Sequence, residues 1–185
     1  ARGLDVVGNY DNVYTTATFL FDNSRPVSTV TVPSDGSYLN YKPAELRGTS
    51  SDPGESGVTA IFISIMRDDD PATPADDGLP YWNGVNGWSS TEITYSATPP
   101  FDNWTRTISA GMFDSNDSRR YTVRTTARDL ALNEEGGGVP GIRMSFVYDV
   151  NRPTAAVFYP ADGGYVSKTG KVNGGSYDKP NGLVD

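Results

Sequence analysis

The sequence predicts an all-β fold, an antiparallel sandwich of short strands. Polar and apolar residues alternate with period two in short runs, as in "STVTVP" (Ser28 to Pro33). Clusters of Gly, Pro, Asn and Asp separate the runs, and no 11-residue window carries an apolar stripe at helical spacing. Sheets with one wet face need few apolar residues, so a hydrophobic content of 36% is adequate.

The strands are justified in order. "VTAIFISIM" (Val58 to Met66) is β-branched and aromatic, the composition of a buried strand. "TEITYSA", "NWTRTISA", "YTVRTTA" and "IRMSFVYDV" continue the alternation up to Val150. Between them stand "PSDGS", "SDPGESG", "DDDPATPADDG", "NGVNG", "TPPFDN" and "DSNDS", all turn chemistry. "YWNGVNGW" reads as a hairpin. Tyr121, after a polar turn, is placed to bury its ring at a strand corner.

The chain repeats itself. "TFLFDNSRPVSTVTVPSDGSY" from Thr18 returns as "SFVYDVNRPTAAVFYPADGGY" from Ser145, an offset of 127 positions. "LRGTSSD", ending at Asp52, returns as "VNGGSYD", ending at Asp178, an offset of 126. Asp5 and Asn9 correspond to Asp129 and Asn133 at an offset of 124, with the slip in the loop "EEGGGVPG". A repeat this long is a bead-on-string domain rather than a solenoid unit. The expected division is residues 1–24 as the end of one copy, 25–151 as a complete copy, and 152–185 as the start of a third. The two partial copies together fall well short of one repeat, so the chain is expected to continue beyond both ends. Arg25-Pro26 and Arg152-Pro153 stiffen the linkers, because Pro fixes its own φ and biases the preceding residue to extended backbone.

These pieces resemble the bacterial immunoglobulin-like (Big-type) tandem repeats of long surface and adhesin-type proteins. The resemblance rests on Gly48-Thr49 to Val58, on Tyr121 to Asn133, and on Met144 to Asp149. It covers nearly the whole chain and implies immunoglobulin-like sandwiches in tandem, with strands F and G in residues 1–24 and strands A and B in 152–185. Leu132 departs from the family pattern, which has Gly there; the first copy keeps Gly8.

In such a sandwich the B–C and F–G loops lie beside the incoming linker. Asp22 and Asn23 of the linker, Asp52, Asp129 and Asn133 are thereby drawn towards one junction. Asp149, Asn151 and Asp178 correspond to them at the next. Calcium takes six to eight oxygens of this kind, so an interdomain calcium ion is one expectation. The other is that these residues only form Asx turns and loop caps. The stretch from Arg67 to Pro80 offers a second acidic set, Asp68, Asp70, Asp76 and Asp77, or else a solvated, Pro-stiffened protrusion. Tyr81, Trp82, Trp88 and Trp104 form a glycan-stacking platform if they lie exposed on one face, and a core cap if they are buried.

Composition narrows the function classes. The chain has no His and no Cys, which removes the usual general base, thiolate chemistry and disulfides. No Ser-His-Asp set or phosphate-cradling loop is present, so no enzyme is expected. A net charge of −8 opposes nucleic acid, and no apolar run is long enough to span a bilayer. Sequons stand at Asn103 and Asn116. The expectation is an extracellular or cell-surface structural repeat protein, a stalk, fibre or adhesin shaft, with no cofactor unless calcium. Its partners are neighbouring copies, other chains in a fibre, or surface glycans. The alternatives are a carbohydrate-binding module of a secreted enzyme and a filament subunit that pairs through edge strands.

Overall fold

The structure, a computed structural model, describes residues 1–67, 80–113, 118–138, 141–168 and 170–177. Strand β1 (Val27–Val32) is followed by β2 (Ser37–Leu39), β3 (Glu45–Ser51) and β4 (Val58–Arg67). Next come β5 (Tyr81–Trp82), β6 (Trp88–Ser89), β7 (Tyr95–Ser96) and β8 (Asn103–Thr107). The long strands β9 (Ser118–Asp129) and β10 (Gly141–Asp149) precede a hairpin of β11 (Thr154–Tyr159) and β12 (Asn173–Tyr177). The helical elements among the described residues are two single 3₁₀ turns, Ala110–Met112 and Glu135–Gly137. The protein is therefore all-β. Alternation marks β1, β4, β9 and β10 in the sequence, and the hairpin at "YWNGVNGW" is β5–β6.

Strands β1, β3 and β8 form one sheet, and β2, β10, β9, β4, β5 and β6 run in that order in a second, with β7 also paired to β4. Neither sheet closes on itself. Leu46 and Trp104 from the first sheet and Ile61, Ile63, Ile65, Val123 and Phe146 from the second fall in one buried cluster, so the two sheets enclose a common core. Each fully buried large side chain contributes about 1.5–3 kcal/mol, and this cluster is the main source of stability. Tyr121 lies in its centre, stacked on Phe146 with ring centroids 5.3 Å apart.

Among the described residues all strand pairs are antiparallel except one. Strand β2 runs parallel to β10, with Phe146, Val147 and Tyr148 opposite Ser37, Tyr38 and Leu39. The cause lies at Pro33, which has no N–H to continue the β1 ladder, so the chain leaves the first sheet there. It is caught on the second sheet by Asp35, whose Oδ1 accepts from the Ser145 amide (2.8 Å), and by the Gly36 amide, which donates to the Ser145 carbonyl (2.8 Å).

Residues outside the common core repeat its local geometry. In β1·β3, Val27, Ser28, Thr29, Val30 and Val32 face Ser51, Ser50, Thr49, Gly48 and Arg47. In β11·β12, Thr154, Ala155, Ala156, Val157 and Tyr159 face Tyr177, Ser176, Gly175, Gly174 and Asn173. The registers coincide at the sequence offsets, and each ladder skips one residue at the corresponding place. The turn after β1 closes from the Ser37 amide to the Ser34 carbonyl (3.2 Å), and the turn after β11 from Gly164 to Ala161 (2.9 Å). Near the N-terminus, the Asp5 amide donates to the Asn9 carbonyl (2.9 Å), as Asp129 does to Asn133 (3.2 Å). The bridge between Leu4 and Tyr10 likewise has its counterpart between Arg128 and Glu134.

Candidate functional site

Three chain segments meet just ahead of β1. The turn after β3 carries Asp52, the last residue of β9 is Asp129, and residues preceding β1 supply Asp22. Their carboxylate oxygens lie within 4.8 Å of one another, with Asp129 fully buried and the other two partly exposed. Asn133 joins two of the three segments through Nδ2, which donates to the Asp22 carbonyl (3.1 Å) and to Asp129 Oδ2 (2.8 Å).

Each carboxylate is held by hydrogen-bond donors, and the Ser56 hydroxyl lies within reach of both Asp22 and Asp52 Oδ2 (3.2 Å to the latter). Asp22 Oδ1 accepts from the Ser24 amide (2.8 Å), and its Oδ2 accepts from the Ser56 amide (3.1 Å) and hydroxyl (2.6 Å). Asp52 accepts from the Gly54 amide (3.1 Å) and the Gly57 amide (2.9 Å). Asp129 Oδ1 accepts from the Asn133 amide (2.7 Å). Such bonds favour the ionised form; the Ser56 hydroxyl first, then the Ser24 amide, hold the Asp22 carboxyl below its ordinary value. Asp5 is lowered similarly, chiefly by the Asn9 amide and then the Asn9 side chain. Gly54 makes the close approach of Asp22 possible, because a Cβ at Gly54 would stand 2.1 Å from Asp22 Oδ2.

The arrangement concentrates three carboxylates while leaving Asp22 Oδ1, Asp52 Oδ1 and both oxygens of Asp129 with one hydrogen bond each and a further lone pair. Their repulsion is offset by amide and hydroxyl donors, and a hard divalent cation accepting the remaining lone pairs would offset it further.

The other sequence-predicted residues are placed as follows. Asn23 is exposed. At the second junction Asp149 Oδ1 accepts from the Asn151 amide (2.8 Å), the counterpart of the Asp22–Ser24 turn. Asp178, Asp68, Asp70, Asp76 and Asp77 lie outside the described residues, as does Asn116 of the second sequon. Of the two readings of the four rings, the exposed glycan platform is corrected and the core cap holds for Trp104 and Trp82. Trp104 and Trp82 are 0% and 2% exposed, and Trp88 packs edge-on against Trp82 at 5.3 Å beneath the Arg67 guanidinium. Large rings next to a thin core are worth more inside it than on a surface. Tyr81 is half-buried on the same hairpin.

Sequence reasoning missed Ser56 and Glu135. Ser56 sits among "SDPGESG", where a serine reads as a turn filler. Glu135 is 6% exposed, and its carboxylate accepts from the Ser28 amide (3.0 Å), the Ser28 hydroxyl and the Ala127 amide (3.1 Å). It thereby links β1 of one sheet to β9 of the other. The offset of 124 places Asp11 opposite Glu135, a signal that this acid recurs. No family model matches the chain, and neither a curated protein nor a solved structure matches it.

Proposed function

We propose that this chain is a segment of a tandem array of immunoglobulin-like sandwiches, working as an extracellular structural shaft. Residues 25–151 are one copy, residues 1–24 end the copy before it, and residues 152–185 begin the copy after it. The observation that carries the reading is the coincidence of register between β1·β3 and β11·β12 at the offsets of the sequence repeat. The resemblance to bacterial immunoglobulin-like repeats supports the same reading. The role is mechanical: each copy adds length, and the junctions fix the angle between neighbours. The acidic surface keeps a crowded array soluble.

Calcium at Asp22, Asp52 and Asp129 stiffens the junction in this reading, since it ties the linker to two loops of the next copy. Thermal unfolding in calcium and in chelator tests it. At roughly 100 times its Kd, calcium should stabilise the folded chain by about 2.7 kcal/mol. Asp129→Asn should lose that calcium-dependent increment, whatever it does to the metal-free midpoint. Equal midpoints of the unaltered chain in calcium and chelator would remove calcium from the proposal. Small-angle scattering tests the shaft itself, which fails if residues 1–21 pivot freely about Asp22 with and without the ion.

A further inference from the structure

We propose that the outer face of the larger sheet binds an acidic polysaccharide, a linear chain bearing carboxylates, along the outward row of β9. The face is built from residues 58–129 and does not depend on the tandem reading. Tyr121, Val123 and Ala127 of β9 are buried in the core, and Thr125 bonds Ser28 of the other sheet. Side chains alternate along a strand, so Arg120, Thr122, Arg124, Thr126 and Arg128 face the other way. On β4 the same alternation turns Phe62 and Ser64 outward between Ile61, Ile63 and Ile65. In a chain of net charge −8, the outward row of β9 holds three arginines and no acid.

Four polar atoms on this face are shut off from solvent and have no hydrogen-bond partner: Ser64 Oγ, Thr126 Oγ1, Arg124 Nε and Arg128 Nε. Ser64 and Thr126 are 0% and 3% exposed. In the ladder Ser64 stands opposite Arg124, and Thr126 stands opposite Phe62, whose ring centroid is 5.0 Å from the Arg128 guanidinium. The four atoms therefore fall on neighbouring positions of one face. A buried donor without an acceptor is costly, and four together point to an acceptor from outside the chain. All four can donate and the two Nε atoms can only donate, so that acceptor is rich in oxygen and negatively charged.

The chain itself shows which acceptor fits. Arg124 Nη1 donates to both oxygens of Glu92 (3.2 Å each), and Arg128 Nη1 lies 3.8 Å from Glu134 Oε1. Each guanidinium is thus engaged at Nη1 and leaves its Nε edge, which can hold a carboxylate side-on. The Arg124 and Glu92 side chains are 25% and 28% exposed, and opposite Ser64 they are the cover over the two hydroxyls. Ion pairs this near the surface are weak, so an incoming carboxylate displaces Glu92 and gains the hydroxyls beneath. Arg120, Arg124 and Arg128 recur every four residues, about 13 Å apart along an extended strand. A small anion meets one of them, whereas a linear chain with spaced charges meets all three. Thr122 and Thr126 set hydroxyls between the charges, an alternation matched by a sugar chain of acid and hydroxyl groups. Nucleic acid, with a phosphate about every 3.4 Å of each strand, is too densely charged for this row in an acidic molecule.

The test uses the full chain in chelator, so that calcium plays no part, with polygalacturonate as the probe and dextran and dextran sulfate as controls. Polygalacturonate should bind at low salt with a Kd of about 100 µM, and neutral dextran should not bind. Arg124→Gln should weaken binding about tenfold, and Glu92→Gln, which removes the internal competitor, should tighten it about threefold. The double variant Ser64→Ala, Thr126→Val separates a binding site from a folding defect, because hydroxyls without partners add nothing to the free chain. Its thermal midpoint should stay level or rise while binding falls about fivefold. A lowered midpoint would mean that the hydroxyls are bonded within the fold, and it overturns the site. No binding of polygalacturonate, binding unchanged by Arg124→Gln, or binding not tightened by Glu92→Gln overturns it as well. A preference for dextran sulfate overturns the carboxylate assignment. Self-association abolished by Arg124→Gln but indifferent to polygalacturonate gives the face to a second copy of the chain instead.

Discussion

Leu132 sits where the backbone asks for glycine. Its φ is 70°, in the left-handed region, and its counterpart Gly8 has φ 90°. The Leu132 side chain is 71% exposed, so little packing offsets the roughly 1–2 kcal/mol that an L-residue loses there. Glycine relieves that strain but adds backbone freedom to the unfolded chain, a cost of about 0.5–1 kcal/mol. Leu132→Gly should therefore stabilise the chain by about 0.5 kcal/mol in urea unfolding. A loss of stability would mean that the leucine makes contacts that outweigh its backbone strain. The Asp-x-x-x-Asn loop around it was legible in the sequence because its pattern occurs twice. Glu135 was not legible: an acid followed by three glycines reads as a solvated tip, and only the folded chain brings the donors of Ser28 and Ala127 to it.

Among the elements, β3 shows most clearly what alternation conveys and what it leaves out. Period two marks β4, whose inward residues Ile61, Ile63 and Ile65 are large and apolar, and the first half of β9, where Tyr121 and Val123 point in. "ELRGTSS" offers one large inward residue, Leu46, and then Gly48 where a second would stand. The reason is β8, which pairs Trp104 with Gly48. A Cβ on Gly48 would lie 2.1 Å from the Thr29 carbonyl oxygen and 2.1 Å from the Trp104 ring. The indole takes the place of the missing side chain and donates from Nε1 to the Thr49 carbonyl (3.3 Å). So a tryptophan that suggested a sugar platform is the plug of the smaller sheet. Gly48→Ala should cost about 3 kcal/mol through overpacking, read by urea denaturation and by a shift in Trp104 emission. A cost under about 0.5 kcal/mol would show that β1 or β8 moves aside freely. Gly174 is the counterpart in β12, where a Cβ would lie 2.5 Å from the Ala156 carbonyl oxygen.

At the scale of the whole molecule, the contacts at Asp22 decide whether the segment before β1 and the two sheets move as one body. Loop positions in the expected sandwich already drew Asp22, Asp52 and Asp129 together, but Ser56 and Gly54 could not be assigned from turn chemistry alone. Ser56 and Ser24 give Asp22 its pH dependence. The Asp22 carboxyl is held below its ordinary value by the Ser56 hydroxyl and then the Ser24 amide, so the folded chain binds its proton more weakly than the unfolded chain. Stability from this group is present above the unfolded value near 3.8, and it is lost as pH falls through the lower folded value. Acid should therefore loosen the linker before it opens the core, whose apolar contacts do not titrate. In an NMR titration the Ser24 and Ser56 amides should move together below about pH 4, ahead of any change at Ile63 or Val123. Asp22→Asn should remove that transition, and Ser56→Ala should move it to higher pH by deleting its largest cause. If the Ser56 amide instead moves only with the core, the linker and the sandwich form one cooperative unit, and the junction is a continuation of the fold rather than a separable hinge.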